Sequence, residues 1–234
     1  MECVAGKRGL EIGGPSAVFG RRGLIPLYDC VASLDNCNFA SHTIWAQHDA
    51  GDTFVYSNNR PAGRQYLAEG MDLIAIADAS YEFILSSHML EHTANPLHAL
   101  RAWHRVLGAD GALILLVPDK KWTFDHKRPV TTLTHLIEDL NRSTGEDDLT
   151  HMPEILQLHD LQRDPGAESY EIFKTRCQNN LEIRGMHHHV FDTSLVREML
   201  EYSGFSVMFT RNAFDAHIIA VAKKGFPTPN CKLR

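Results

Sequence analysis

The segment Arg8-Gly9-Leu10-Glu11-Ile12-Gly13-Gly14-Pro15-Ser16 constrains this chain more than any other. Leu10 and Ile12 read as the end of a short buried strand. Gly13-Gly14-Pro15 then forces a tight turn in which backbone can approach a ligand closely. Glu11 at the strand end can accept from an amine or hydroxyl, and the chain beyond it can offer backbone N–H groups. Glu11, Gly13, Gly14 and Pro15 are therefore candidate binding residues, with a plain tight connection as the alternative reading.

The apolar runs that follow alternate between strand and helix patterns. Lys7 to Ile12 is the first strand, Ala17 to Arg22 a short helix, and Asp29 to Leu34 the second strand with Asp35 just beyond it. Asp35 lies about twenty residues past the glycine turn, the separation at which a carboxylate meets ribose hydroxyls; a turn-capping Asp35-Asn36 is the alternative. Residues 38–63, with Trp45, His48, Asp49 and Asp52, read as a polar loop with one short helix. Gln65 to Ala68 is the third strand. Phe83 to Ser86 is the fourth, buried on both faces, and Ser87 and His88 open a helix at the carboxyl edge where ligands of open α/β sheets sit, which makes Ser86 and Ser87 candidate binding residues. Pro96 to Leu107 is an amphipathic helix with Leu97, Leu100, Trp103 and Leu107 inward, and Ala112 to Val117 is the fifth strand. Such alternation implies a parallel sheet.

The stretch from Asp78 through Ser86-Ser87-His88-Met89-Leu90-Glu91-His92, then Asn95-Pro96 to Arg105-Val106-Leu107 and Gly111 to Pro118, resembles the class I S-adenosylmethionine-dependent methyltransferases, in the branch with an S-x-x-L-E-H motif. The resemblance covers about residues 8 to 118, with a looser match to the last strands. Pro15 stands where the family has its second loop glycine, and Asp110-Gly111 where it has paired glycines. The resemblance implies a Rossmann-like, doubly wound, mostly parallel seven-stranded sheet with an antiparallel last strand. It also implies S-adenosyl-L-methionine as cofactor, with Glu69 as first choice and Asp72 as second for the acid that meets the adenine amino group.

After Pro118 the pattern changes. Residues 119–185 form an insertion with helices expected at Thr131 to Arg142, Met152 to Leu161 and Tyr170 to Cys177. So long a connection, leaving the ligand edge of the sheet, reads as a substrate cover. Thr193 to Ser203 is the last helix, and Phe205 to Thr210 with His217 to Ala222 form a closing antiparallel pair. The whole chain, 1–234, reads as one methyltransferase domain.

Histidine is abundant: there are 14, among them His126, His135, His151, His159 and the run His187-His188-His189. Transfer to a hydroxyl or protonated amine needs a base, for which His88, His126 and one of His187 to His189, such as His188, are candidates, with Asp125 as orienter. His88, Glu91 and His92 also match the letters of an inverzincin metalloprotease and could ligate a divalent metal. The family resemblance accounts for Leu90-Glu91-His92 without metal.

A formal charge of −6 argues against nucleic acid or an anionic membrane as partner. Five cysteines without a CxxC pair suit a reducing compartment, and no signal-like or membrane-spanning run is evident, so a cytoplasmic location is expected. The reading is methyl transfer to an oxygen or nitrogen of a small molecule. Its rivals are a module that keeps the fold without transfer, motivated by Pro15, and a metal-dependent enzyme built on the histidines.

Overall fold

A computed structural model describes residues 2–41, 52–164, 166–213 and 216–225. Trp45, His48 and Asp49, with the rest of 42–51 in the loop assigned to 38–63, lie outside the described residues.

The chain builds a single eight-stranded sheet in the order β3-β4-β2-β1-β5-β6-β8-β7. Its strands are β1 (Arg8–Ile12), β2 (Ser33–Asn38), β3 (Thr53–Phe54), β4 (Gly63–Leu67), β5 (Tyr81–Ser87), β6 (Leu107–Pro118), β7 (Phe205–Ala213) and β8 (His217–Lys224). The five strands β4-β2-β1-β5-β6 pair in parallel, whereas β8 runs antiparallel to both β6 and β7. This is the expected doubly wound, mostly parallel arrangement. The eighth strand is the two-residue β3, antiparallel to β4 at the far edge, inside the segment read as loop.

Hydrophobic layers cover both faces. On one face α1 (Pro96–Val106) and α6 (Thr193–Tyr202) lay Leu97, Leu100, Trp103, Val196 and Met199 against Leu10, Ile84 and Leu115. The other face buries Phe19, Val31, Phe54, Phe83 and Leu116. Helix α1 begins where the sequence says it should: the Asn95 side chain accepts from the His98 N–H and Pro96 occupies the first turn.

Two expectations shift. The stretch Ala17 to Arg22 yields only a single 3-10 turn, Ala17–Phe19. The second strand starts later than the sequence suggested and runs through Asp35-Asn36-Cys37-Asn38, residues that favour turns. Tertiary hydrogen bonds override that preference. Asn36 is fully buried, accepting from the Gly14 N–H (2.9 Å) and donating to the Gln65 side chain (2.9 Å). Asp35 is held by Arg8 (3.0 Å), the Tyr81 hydroxyl (2.8 Å) and the Arg64 N–H (2.8 Å).

Strands β2 and β4 approach closely at Gly63, where a Cβ would sit 1.7 Å from the Leu34 carbonyl oxygen. The obstacle is backbone and cannot rotate away. Gly63→Ala is expected to lower unfolding free energy by about 3 kcal/mol, the upper end of overpacking penalties, in urea titration.

The 119–185 region is helical as expected: α2 (Leu133–Arg142), α3 (Met152–Leu158), α4 (Tyr170–Gln178) and the short α5 (Asn180–Ile183). Part of it forms a small core of its own, Ile155, Ala167, Phe173 and Cys177, with Met186 just beyond the region. Among the described residues no helix is long and apolar enough to cross a membrane.

Candidate active site

A cavity of about 890 Å³ opens at the carboxyl edge of β1, β2, β4 and β5 and runs beneath the inserted helices. Its floor is Ile12, Gly13, Pro15, Asn38, Gly70 and Ser87, and its cover side includes Phe124, Glu146, Asp164, Arg176, Arg184 and His187. A volume of this order holds a nucleoside-sized ligand with a small second molecule.

The glycine turn is shaped from below. Gly13 takes a left-handed φ of 84°, open to glycine at little cost. Glu11 does not face the cavity as the sequence suggested. It is fully buried and accepts from the Tyr28 hydroxyl (2.8 Å) and the Ser16 N–H (3.0 Å), which fold it back under the turn. Burial pushes its carboxyl up to about 7 despite those bonds. Gly14 likewise faces inward, sealed by Asn36 and Asn38, whose side chain donates to the Gly14 carbonyl (3.0 Å). Gly13 and Pro15 remain as the cavity-facing members of the motif.

Asp35 lies within β2, level with Leu10, three residues short of the strand's carboxyl end and away from the cavity lining. The later start of β2 puts Asn38 and Phe39 there instead. Of the two acids proposed beyond the third parallel strand, Glu69 lines the cavity; Asp72 does not and pairs with His98 (2.8 Å). Glu69 meets Arg184 (2.6 Å), which also holds Glu146 (2.7 Å) and stacks over Phe39 at 5.2 Å. Burial raises the Glu146 carboxyl to about 7, with Arg184 opposing. Ser87 lines the cavity, while Ser86 is fully buried beneath it.

His88 adopts a left-handed φ of 51°, so β5 is followed by a single 3-10 turn, Leu90–His92, rather than a helix opening at Ser87. His88 still reaches Glu91 (3.3 Å) through Nδ1 and His217 (2.7 Å) through Nε2. Burial lowers His88, and the Glu91 carboxylate outweighs it, leaving the ring above the usual histidine value. Antiparallel register places His217 opposite Pro118 at the ligand edge, a position the sequence pattern of two closing strands could have supplied.

The proposed bases separate. His126 is not on the lining and pairs with Asp160 (2.8 Å). His188 is fully buried and its Nε2 accepts from the Asn180 amide (3.0 Å). His187 lines the cavity, and its Nδ1 meets Asp125 Oδ2 at 2.5 Å. Asp125 therefore orients His187 rather than its sequence neighbour His126. It is in turn held by buried Arg128 (2.9 Å), which donates to the carbonyls of His187 (2.8 Å) and His188 (3.0 Å). Burial would raise Asp125, and His187 and Arg128 together hold it below the usual carboxylate value.

Glu91, His92 and His187 present one donor atom each within 4.8 Å of one another. Neither Glu91 oxygen accepts a hydrogen bond, and His92 Nδ1 is tied to the Met186 carbonyl (3.0 Å). His187, not His88, is thus the residue that joins Glu91 and His92 as a possible ligand set.

Burial pushes His92 down to about 4 and His188 to about 3. A histidine held neutral contributes stability above the unfolded value of 6.5, and that contribution is lost as pH falls through the folded value. The raised Glu11 and Glu146 work oppositely, stabilising below about 4.5 and losing that as pH rises through about 7. His188→Gln is therefore expected to cost stability at neutral pH, and that cost should shrink below pH 6.5 by up to about 1.4 kcal/mol per unit in a urea series.

The family model of a methyltransferase domain matches residues 3–208, which hold the parallel strands, the glycine turn and the inserted helices. The chain belongs to the class I S-adenosylmethionine-dependent methyltransferases. Among solved structures it is similar to a methyltransferase of Methanosarcina mazei (15% identity, TM-score 0.54, covering 94% of this chain and 93% of the other). A putative methyltransferase of Bacillus halodurans is similar to the same degree (12%, 0.54, 96% and 95%). The 1,6-didemethyltoxoflavin N1-methyltransferase of Burkholderia thailandensis, solved with 1,6-didemethyltoxoflavin and S-adenosylhomocysteine, aligns over 94% of this chain and 72% of its own (11%, 0.52). At such identities the likeness is one of fold. No curated protein matches the sequence significantly.

Proposed function

We propose that this methyltransferase moves a methyl group from S-adenosylmethionine to an oxygen or nitrogen of a small organic acceptor held under the 119–185 cover. The observation that carries the reading is a single cavity walled on one side by the glycine turn and Glu69 and on the other by His187, oriented by buried Asp125. Gly13, Pro15, Glu69, Gly70 and Ser87 would hold the cofactor. The sulfonium supplies an activated methyl. The protein's work is to align the acceptor, exclude water and remove a proton. With Nδ1 engaged by Asp125, His187 offers Nε2 to the acceptor hydroxyl or ammonium. As the sulfur–methyl bond breaks and the new bond to oxygen or nitrogen forms, that proton passes to Nε2. A small nitrogen heterocycle as acceptor is in keeping with the Burkholderia relative.

The test is transfer of labelled methyl from S-adenosylmethionine to a panel of phenols, amines and nitrogen heterocycles. Acceptor-dependent label in product supports the reading. Cofactor binding with no product across the panel would favour the non-transferring module, and transfer only to a macromolecule would overturn the small-acceptor part.

A second reading rests on the Glu91–His92–His187 group, which could hold a divalent ion that orients an acceptor oxygen. Activity restored by Mg²⁺ or Mn²⁺ after chelation, and absent in Glu91→Gln, would favour it over His187 as base.

A further inference from the structure

A second histidine group lies outside the cavity. His135 and Asp139 stand one turn apart on α2, His151 immediately precedes α3, and His189 follows the cavity-lining His187 by two residues. One donor atom from each of the four falls within 4.8 Å of all the others. His135 Nε2 is 3.0 Å from His151 Nε2 and 3.3 Å from Asp139 Oδ2, and His189 Nε2 is 3.8 Å from that oxygen. A tetrahedral zinc ion with bonds of about 2.0–2.1 Å spaces its donors about 3.3 Å apart. We propose that His135, Asp139, His151 and His189 form a structural site for a zinc-type divalent ion that fastens the inserted helices to the body of the enzyme.

Three features favour an ion over a mere hydrogen-bonded cluster. Two ring nitrogens face each other at 3.0 Å, and as neutral imidazoles with both protons on Nδ1 they would turn two lone pairs toward one ion. Asp139 is 6% exposed, yet its Oδ2 accepts no hydrogen bond although His135 and His189 both face it. A buried carboxylate oxygen left this way is costly unless a cation takes it. Its other oxygen is already fixed by the Thr144 hydroxyl (3.2 Å), the kind of outer support that orients a ligating carboxylate. Three imidazoles and one carboxylate suit zinc, with cobalt as its spectroscopic substitute.

His135, Asp139 and His151 make the core of the set. His189 completes it by giving up the bond from Nε2–H to the Ala94 carbonyl (3.1 Å) and carrying its proton on Nδ1, which now has no partner. The site would join α2, the start of α3 and the histidine run to the Ala94-Asn95 segment, where Asn95 donates to the Asp139 carbonyl (3.1 Å). Beside it the Ala94 N–H donates to Glu146 (3.2 Å), a cavity residue, so anchoring this corner also sets one wall of the cavity.

The experiment is metal retention. Purified protein is loaded with Zn²⁺, freed of unbound metal by desalting and analysed for zinc; a parallel Co²⁺ sample is read by visible absorption. The expected result is about one tightly held ion and an intense four-coordinate cobalt band in wild type and in Glu91→Gln. Affinity should fall at least about tenfold in Asp139→Asn, His151→Ala and His135→Ala. His135 is 36% exposed on its side chain, so His135→Ala keeps the test valid if the buried variants misfold. No retained ion in folded wild type would overturn the proposal. So would retention lost in Glu91→Gln but kept in His135→Ala, which would move the ion to the cavity.

Discussion

Replacing His187 with glutamine is expected to slow methyl transfer by about 10²–10⁴-fold while leaving S-adenosylhomocysteine affinity within about threefold of wild type. His187 meets the cavity on the cover side, away from the glycine turn, so its loss should act on the acceptor and not on the cofactor. The limb of the pH–rate profile that reports the base should disappear with it. Steady-state rates over a pH series, beside calorimetric titration of each protein, separate the two effects. Glutamine is preferable to changing Asp125, because Asp125→Asn would leave Arg128, at 1% exposure, short of its buried counter-charge and would confound rate with stability. The His187–Asp125 pair carries the chemical part of the account, and an unchanged rate in His187→Gln would remove it.

The second large effect is expected at Gly14. A Cβ there would lie 2.3 Å from the Glu11 carboxyl carbon and 2.4 Å from one of its oxygens. Glu11 is fully buried and held by the Tyr28 hydroxyl and the Ser16 N–H, so it can move only by giving up those bonds. Gly14→Ala should therefore push the carboxylate off the Ser16 N–H and the Tyr28 hydroxyl and let the turn collapse. The expected outcome is at least about a hundredfold loss of S-adenosylhomocysteine affinity, equivalent to about 2.7 kcal/mol, in a protein whose far-ultraviolet dichroism is retained. Equal affinity in variant and wild type would mean that the turn is a plain connection.

Much of the fold was legible because it rests on local patterns. The apolar runs Phe83 to Leu85 and Ala112 to Val117 have the length and composition of buried parallel strands, and Asn95-Pro96 before a 3.6-residue stripe fixed the start of α1. The inserted helices were visible for the same reason, with Thr132 and Ser169 capping α2 and α4 through their side chains. The second strand was misplaced because its polar residues are satisfied by partners distant in sequence: Asn36 by Gly14 and Gln65, Asp35 by Arg8 and Tyr81. No window of neighbouring residues contains that information.

The candidate site divides along the same line. Gly13, Pro15, Ser87 and His88 follow from position at the ends of parallel strands and Glu69 from the family resemblance, and the structure brings them to one cavity. Which of three consecutive histidines faces that cavity does not follow from spacing. It is decided by backbone tethers, the His188 N–H donating to the Glu91 carbonyl (2.8 Å) and Arg128 gripping the carbonyls of His187 and His188. Arg184 and Glu146, from the cover, gave no signal at all, since their role arises only when the insertion folds back over Glu69.

The most direct test of the central claim is calorimetric titration of the purified protein with S-adenosylhomocysteine. The account predicts one site with micromolar affinity, abolished by Gly14→Ala and preserved in His187→Gln. Absence of binding in protein shown to be folded would contradict it, whatever the fate of the zinc site.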